Sequence, residues 1–83
     1  MRRFKLTTEQ ISFLKKEYGD SLLVKQVLSS EQKGFFEVDI DTKIDFLDFL
    51  ENESVNWMNR DYEVTSKSIL LESIRDDIYN QTN

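Results

Sequence analysis

The chain contains neither cysteine nor histidine, and this absence limits both how it folds and what it does. Without cysteine, no disulfide or thiolate cluster holds the fold together, so its stability must come from buried aliphatic and aromatic side chains. A domain of 83 residues buries only about 60 to 65% of the surface that its unfolded chain exposes. We therefore expect one domain, over residues 1–83, with a small apolar core.

Charge is distributed unevenly along the sequence. Up to Gly34, seven lysines and arginines face four acids, whereas from Phe35 onward four face twelve, and the net charge of the chain is -5. Proline is absent and glycine occurs only twice, so the composition indicates no flexible linker between domains. The sequence therefore predicts one continuous domain that is basic first and acidic afterwards.

The location of the protein is predicted from its apolar segments. The basic residues 1–5 are not followed by an apolar stretch, and the longest aliphatic runs are 22–24 and 69–71. A membrane-spanning helix needs about 20 apolar residues. We therefore expect no signal peptide, no membrane contact and a cytoplasmic location.

The first helix is predicted by its capping residues. Thr7 and Gln10 have the spacing of a capping box, in which each side chain binds a backbone amide of the first helical turn. Apolar residues then recur at helical spacing as far as Gly19, which is suited to the left-handed conformation that often ends helices. The pattern predicts a helix over 8–18.

The segment 20–33 fits two interpretations. As a helix it would begin after Asp20 and end at Gly34, with its apolar residues within about 140° of arc. These residues are Leu23, Val24, Val27 and Leu28. A strand over 21–28 is the alternative, because apolar residues also alternate there. We predict the helix.

Two strands are predicted to pair. Residues 35–40 alternate between apolar and polar side chains, which is typical of a half-buried strand, and residues 3–6 alternate as well. Opposite charges across such a pair are stabilising. We expect two basic residues, Arg3 and Lys5, to lie opposite two acidic ones, Glu37 and Asp39.

Two further helices complete the predicted order of strand, helix, helix, strand, helix, helix. Asp41 or Thr42 would cap the third helix, which runs to about residue 58, and its core face gathers Phe46, Leu47, Leu50, Trp57 and Met58. Thr65 or Ser66 would cap the last helix, over 66–80, whose apolar stripe contains Leu70, Leu71, Ile74 and Ile78. Tyr62 and Val64 would lie in the connector, and residues 81–83 would fray.

The predicted class is mainly α, a compact four-helix domain with a small two-stranded element. The alternative is α+β, with 21–28 as a strand.

Few residues suit catalysis or cofactor binding. The commonest general base, thiolate nucleophile and zinc ligands are missing. Residues 39–45 resemble the start of a calcium loop, but Lys43 replaces a ligand and Leu50 stands where a glutamate is needed. Gly19 and Gly34 are isolated and form no phosphate-binding loop. We therefore expect no enzymatic activity and no cofactor or metal.

The third helix carries an acidic ridge, formed by Asp41, Asp45, Asp48 and Asn52 within about 60° of arc. It lies opposite the predicted core face, and Phe49 borders it. One interpretation is a solvated helix surface, because runs of charged residues usually lie on helix faces that only contact solvent. The functional hypothesis is a docking surface for a basic protein, with Phe49 as a partly exposed contact.

We predict a non-enzymatic protein-interaction or regulatory module. Its partner would be a protein, or a second copy paired through a strand edge. The alternative is an antitoxin-like or nucleic-acid-mimicking inhibitor, because carboxylates spaced along a helix imitate phosphates. Nucleic-acid binding through the basic residues Arg2, Arg3, Lys5, Lys15 and Lys16 is a further alternative, which the acidity of the remaining chain disfavours.

The C-terminal segment resembles one known group of proteins. Residues 59–65, Asn-Arg-Asp-Tyr-Glu-Val-Thr, and 71–79, Leu-Glu-Ser-Ile-Arg-Asp-Asp-Ile-Tyr, are similar to the closing segment of certain small uncharacterised bacterial domains. The resemblance implies a bacterial cytosolic origin and a final helix that packs onto the domain. It implies no activity.

Overall fold

A computed structural model describes residues 1–57 and 65–82 of the chain. Within them lie four helices and one antiparallel sheet, so the predicted mainly α class is confirmed, although the sheet has three strands rather than two. The elements are β1 (Arg2–Phe4), α1 (Thr8–Tyr18), α2 (Leu22–Ser29), β2 (Glu31–Gln32), β3 (Phe35–Val38), α3 (Ile40–Asn56) and α4 (Ser66–Thr82). None of the helices in this part of the chain is long and apolar enough to cross a membrane.

The start of α1 is the predicted capping box. The backbone N–H of Gln10 donates to Thr7 Oγ1 at 3.1 Å, and the Thr7 N–H donates to Gln10 Oε1 at 2.9 Å. The prediction for Gly19 is wrong, because its φ of -59° is right-handed. A Cβ there would lie 2.6 Å from the Lys15 carbonyl oxygen, so glycine is needed for close approach to the helix end.

The segment after Gly19 is helical, and the alternative of a strand over 21–28 is wrong. The bounds of the predicted helix are also wrong. Ser21 caps α2 instead of Asp20, since its Oγ accepts from the backbone N–H of Val24 at 3.3 Å. The helix ends at Ser29 because the following residues pair with β3.

A hairpin between β2 and β3 was not predicted. Gln32 pairs with Phe35, and the two residues between them have positive φ, 54° at Lys33 and 85° at Gly34. Two consecutive positive φ values are the signature of a type I′ turn, which matches the twist of paired strands. Gly34 therefore forms this turn instead of ending α2.

The predicted pairing of β1 with β3 is confirmed, but only one of its two charge pairs forms. Arg3 lies opposite Glu37, with Nε 3.6 Å from Oε2. The antiparallel register places Phe4 opposite Phe36, so Lys5 continues toward Phe35 and not toward Asp39. The Lys5 ammonium lies 4.5 Å from the centroid of the Phe35 ring.

Asp39 has a different role from the one predicted. Its carboxylate accepts a 2.7 Å hydrogen bond from the backbone N–H of Thr42, so Asp39 is the N-cap of α3. Hydrogen bonding from the Thr42 side chain, and then from its backbone N–H, lowers the pKa of Asp39, because both bonds favour the charged form. The strand consequently ends at Val38 and the helix begins at Ile40, which corrects both the predicted strand end and the predicted caps at Asp41 or Thr42.

The core lies between the inner face of the sheet and the helices. Its buried apolar side chains are Phe4, Leu14, Val24, Val27, Phe36, Val38, Phe46, Leu50, Leu71, Ile74 and Ile78. The predicted core faces of α3 and α4 are otherwise confirmed, with Leu47 and Leu70 partly buried, but the prediction is wrong for Trp57, which is 37% exposed. The predictions for Met58, for the connector with Tyr62 and Val64, and for Asn83 lie outside the described residues, as does most of segment 59–65.

The last helix starts as predicted but runs further. Thr65 Oγ1 accepts from the backbone N–H of Ser68 at 3.2 Å, which confirms Thr65 as its capping residue. The end at residue 80 is wrong, because α4 extends to Thr82. Gln81 is held there by the strand end: its Oε1 accepts from the Lys5 N–H at 2.7 Å, and its Nε2 donates to the Lys5 carbonyl at 2.9 Å.

Candidate functional site

The acidic ridge lies on the outer face of α3. Its four residues are all exposed, whereas Phe46 and Leu50 on the opposite side of the helix are buried. Within residues 1–57 and 65–82, no lysine or arginine forms an ion pair with any of its three aspartates. The structure therefore places three negative charges together on one solvent-facing surface.

Phe49 lies beside this exposed surface and packs against the core. Its ring meets the Tyr18 ring edge to face, with centroids 5.1 Å apart, and stacks near Phe46 at 6.2 Å. It is partly buried and packs against the core. Of the five residues that the sequence singled out, Phe49 thus belongs to the edge of the core, while the four ridge residues face solvent.

An aliphatic stripe beside the ridge was missed by the sequence analysis. It consists of Ile40, Ile44 and Val55, which are 50%, 48% and 55% exposed. On a helix these three side chains fall within about 60° of arc, next to Asp41 and Asp48, but exposed Glu51 lies on the same arc between Ile44 and Val55. The signal was the spacing of Asp39 and Thr42, which fits a cap that makes Ile40 the first helical residue.

A polar corner joins α1, α3 and α4. Trp57 Nε1 donates to the Tyr18 hydroxyl at 2.8 Å, and the Lys67 ammonium lies 4.0 Å from the Trp57 ring centroid and 3.2 Å from Glu17 Oε1. Burial is the main cause that raises the pKa of Tyr18, and the nearby Glu53 and Glu17 carboxylates add to it. Tyr18 is consequently a neutral hydrogen-bonding group at physiological pH.

A groove of about 530 Å³ runs between α1 and α4. Phe13, Ile69 and Leu70 supply its apolar lining, and its charged residues are Glu9, Lys16, Glu17 and Lys67. These two acids and two lysines give the groove a net charge of about zero, so its charge favours neither anionic nor cationic ligands. The groove depends on how α1 and α4 lie together, which no local sequence pattern reports.

The outer face of the sheet engages part of the basic N-terminal segment. Arg3 pairs with Glu37, and its guanidinium carbon lies 4.7 Å from the centroid of the Phe35 ring. Lys5 lies over the same ring. Two of the five basic residues considered for nucleic-acid binding therefore have partners within the fold.

The described residues were searched for groups of side chains that could bind a metal ion. No group of three or more acidic, histidine or cysteine side chains among residues 1–57 and 65–82 is arranged to hold an ion. Comparison of the chain with protein-family models, curated proteins and solved structures finds no match. A functional site is therefore argued from the charge and the exposed apolar side chains on the outer face of α3.

Proposed function

We propose that the protein is a non-enzymatic interaction module that acts in the cytoplasm and binds a basic protein through the exposed face of α3. The observation that carries this proposal is the isolation of the ridge aspartates from the cations of the described residues. Three acids outside the ridge, in contrast, have partners within the fold. Glu37 pairs with Arg3, Glu17 pairs with Lys67, and Asp77 accepts a 2.9 Å hydrogen bond from buried Gln10.

The spacing of the ridge suits a partner with several cations. Its residues follow one another at three or four positions, so neighbouring side chains are about 5 to 6 Å apart along the helix. Exposed charges act over a Debye length of about 8 Å at physiological salt. Each ridge carboxylate lies within this distance of its neighbour along the helix, so the three together attract a cluster of lysines or arginines more strongly than one alone, and they mainly raise the association rate.

The test is quantitative capture of proteins from the native host with three forms of the chain. The ridge variant carries Asp41→Asn, Asp45→Asn and Asp48→Asn. A matched control removes the same charge from exposed acids outside the ridge, with Glu9→Gln, Asp20→Asn and Glu31→Gln. We expect the wild type and the control to capture the same basic proteins. The ridge variant should capture at least tenfold less of them.

Two results would contradict the proposal. If all three forms capture the same proteins equally, the ridge has no docking role. If the ridge variant and the control lose binding equally, net charge rather than a site is responsible. Circular dichroism of each variant establishes that the fold is retained.

A nucleic-acid-mimicking or antitoxin-like inhibitor is the second candidate, supported by the regular carboxylate spacing on α3. Phosphates on one strand of duplex DNA are spaced by about 3.4 Å of axial rise and are likewise contacted by lysine and arginine. Such an inhibitor would displace duplex DNA from a captured protein. A competition assay in which wild-type chain releases labelled DNA, and the ridge variant does not, would favour this class over simple docking.

A further inference from the structure

We infer that the outer face of α3 binds a lysine-rich segment of the partner, with the aliphatic stem of each lysine on the stripe and its ammonium group on a neighbouring carboxylate. This inference rests on the proposed function of α3, and it adds the type of side chain that the face accepts. The observation behind it is that exposed apolar and acidic side chains are intermixed on this face and do not form two separate areas.

Glu51 divides the stripe into two small apolar parts. It is exposed and lies on the same arc, between Ile44 and Val55. Ile40 and Ile44, one helical turn apart, form the first part, and Val55 alone forms the second. A helix or strand with an apolar face does not suit this surface, because it would bring apolar side chains against the Glu51 carboxylate.

Both parts of the stripe lie close to carboxylates. Asp41 precedes Ile44 by three residues and Asp48 follows it by four, and at these separations the Cβ atoms on a helix are about 5 to 6 Å apart. Glu51 precedes Val55 by four residues. None of these three carboxylates forms an ion pair within residues 1–57 and 65–82. Ile44 and Val55 therefore each lie about one helical turn from a carboxylate that the described part of the chain leaves unpaired.

Lysine is the side chain that matches this mixture of apolar and acidic neighbours. Its four-carbon stem lies along apolar surface while the ammonium group at its end stays with water or a carboxylate. A short cation would instead leave Ile44 and Val55 exposed to water. Arginine has a shorter stem, and its planar head is suited to stacking on aromatic rings, which the stripe and the ridge do not contain. A lysine therefore uses both properties of the face, its apolar area and its charge.

The experiment uses the full chain and two synthetic peptides of equal charge. The first contains lysines separated by serines, and in the second each lysine is replaced by α,γ-diaminobutyric acid, which carries the same charge on a shorter stem. Binding is measured by fluorescence anisotropy at about pH 6, where the amines of the peptides and the carboxylates of the chain are charged. We expect the lysine peptide to bind at least tenfold more tightly. This ratio should persist at high salt, because salt screens charge contacts and not apolar ones.

Two substitution sets separate the stripe from the ridge. Ile44→Thr with Val55→Thr should weaken binding of the lysine peptide at least tenfold and leave binding of the diaminobutyric acid peptide unchanged. The control Ile69→Thr, at a residue on α4 that is 54% exposed, should change neither affinity. The three ridge substitutions to asparagine should weaken both peptides by the same factor, because both carry the same charge. Circular dichroism of each variant establishes that the fold is retained.

The outcomes distinguish this inference from the proposed function. If both peptides bind the wild type equally and only the ridge substitutions weaken them, acidic docking stands and the role of the lysine stems is overturned. If the stripe substitutions weaken both peptides equally, the stems do not contact the stripe and the inference is likewise overturned. If neither peptide binds the wild type at low salt, both proposals fail. If sedimentation shows that the wild type self-associates and the stripe substitutions abolish this, a second copy is the occupant and the inference is overturned.

Discussion

The outer face of the sheet carries Arg3, Lys5 and Glu37, whereas the outer face of α3 carries the ridge aspartates, and the two faces differ in where their charges find partners. On the sheet, Arg3 pairs with Glu37, and both Arg3 and Lys5 lie over the Phe35 ring. On α3, the ridge aspartates have no ion pair within residues 1–57 and 65–82. The difference teaches that the amount of surface charge does not locate an interaction site, because charges used by the fold are unavailable to a partner.

The largest expected change in the free energy of unfolding distinguishes the inner side of the sheet from its outer side. Phe4 is 1% exposed and stacks on Phe36 at 5.6 Å, so Phe4→Ala should lower the free energy of unfolding by about 3 to 5 kcal/mol. Phe35→Ala removes only the exposed cation–π contacts, at about 1 kcal/mol. Urea unfolding of both variants measures the difference. A larger loss for Phe35→Ala would mean that the charged outer face, rather than the core, holds the sheet.

A smaller change in the free energy of unfolding is expected when one acid from each region is neutralised. Glu37→Gln should lower the free energy of unfolding by about 0.2 to 1 kcal/mol, because it removes a cross-strand charge pair. Asp45→Asn should leave stability unchanged, or raise it slightly at low salt by reducing repulsion within the ridge. Thermal unfolding at low and high salt tests both. If Asp45→Asn is the more destabilising, the ridge contributes to the fold and the comparison breaks down.

The smallest effect concerns Tyr18. Its folded pKa is raised above the ordinary value of 10.0, mainly by burial and then by Glu53 and Glu17, so the stabilising contribution is complete below pH 10 and is lost as pH rises through the folded pKa. We expect the stability of the wild type to fall more above pH 10 than that of Tyr18→Phe. NMR titration should show a lower Tyr18 pKa in Glu53→Gln and no change in Asp45→Asn. A shift in both would mean that the ridge also acts on the folded interior.

Local patterns predicted much of the fold because they act between near neighbours in sequence. The Thr7 and Gln10 capping box spans three residues, and the alternation in β3 sets one side chain of every two toward the core. The hairpin was missed because its turn begins with Lys33, whereas Asn or Asp before glycine is the usual signal. The Lys5 partner was wrong because antiparallel register, which fixes Phe4 opposite Phe36, is not written in either strand alone.

The candidate site was predicted only in part. The exposure of the ridge follows from a helical wheel, since Phe46 and Leu50 define the opposite, buried face. The aliphatic stripe was missed because Ile40 was assigned to the preceding strand, which removed it from the wheel. The engagement of Arg3 and Lys5 with Phe35 depends on contacts between distant segments, and periodicity within one segment does not report them.

The bond between Gln81 and Lys5 has a consequence for how the chain is made. The two residues are 76 positions apart, which a ribosome covers in about 4 to 15 s. During that interval β1 is already synthesised, but the Gln81 amide that binds the Lys5 backbone after it does not yet exist. The nascent backbone at Lys5 is therefore open to pairing with other chains until the last helix emerges, and the final turn of α4 ends this period.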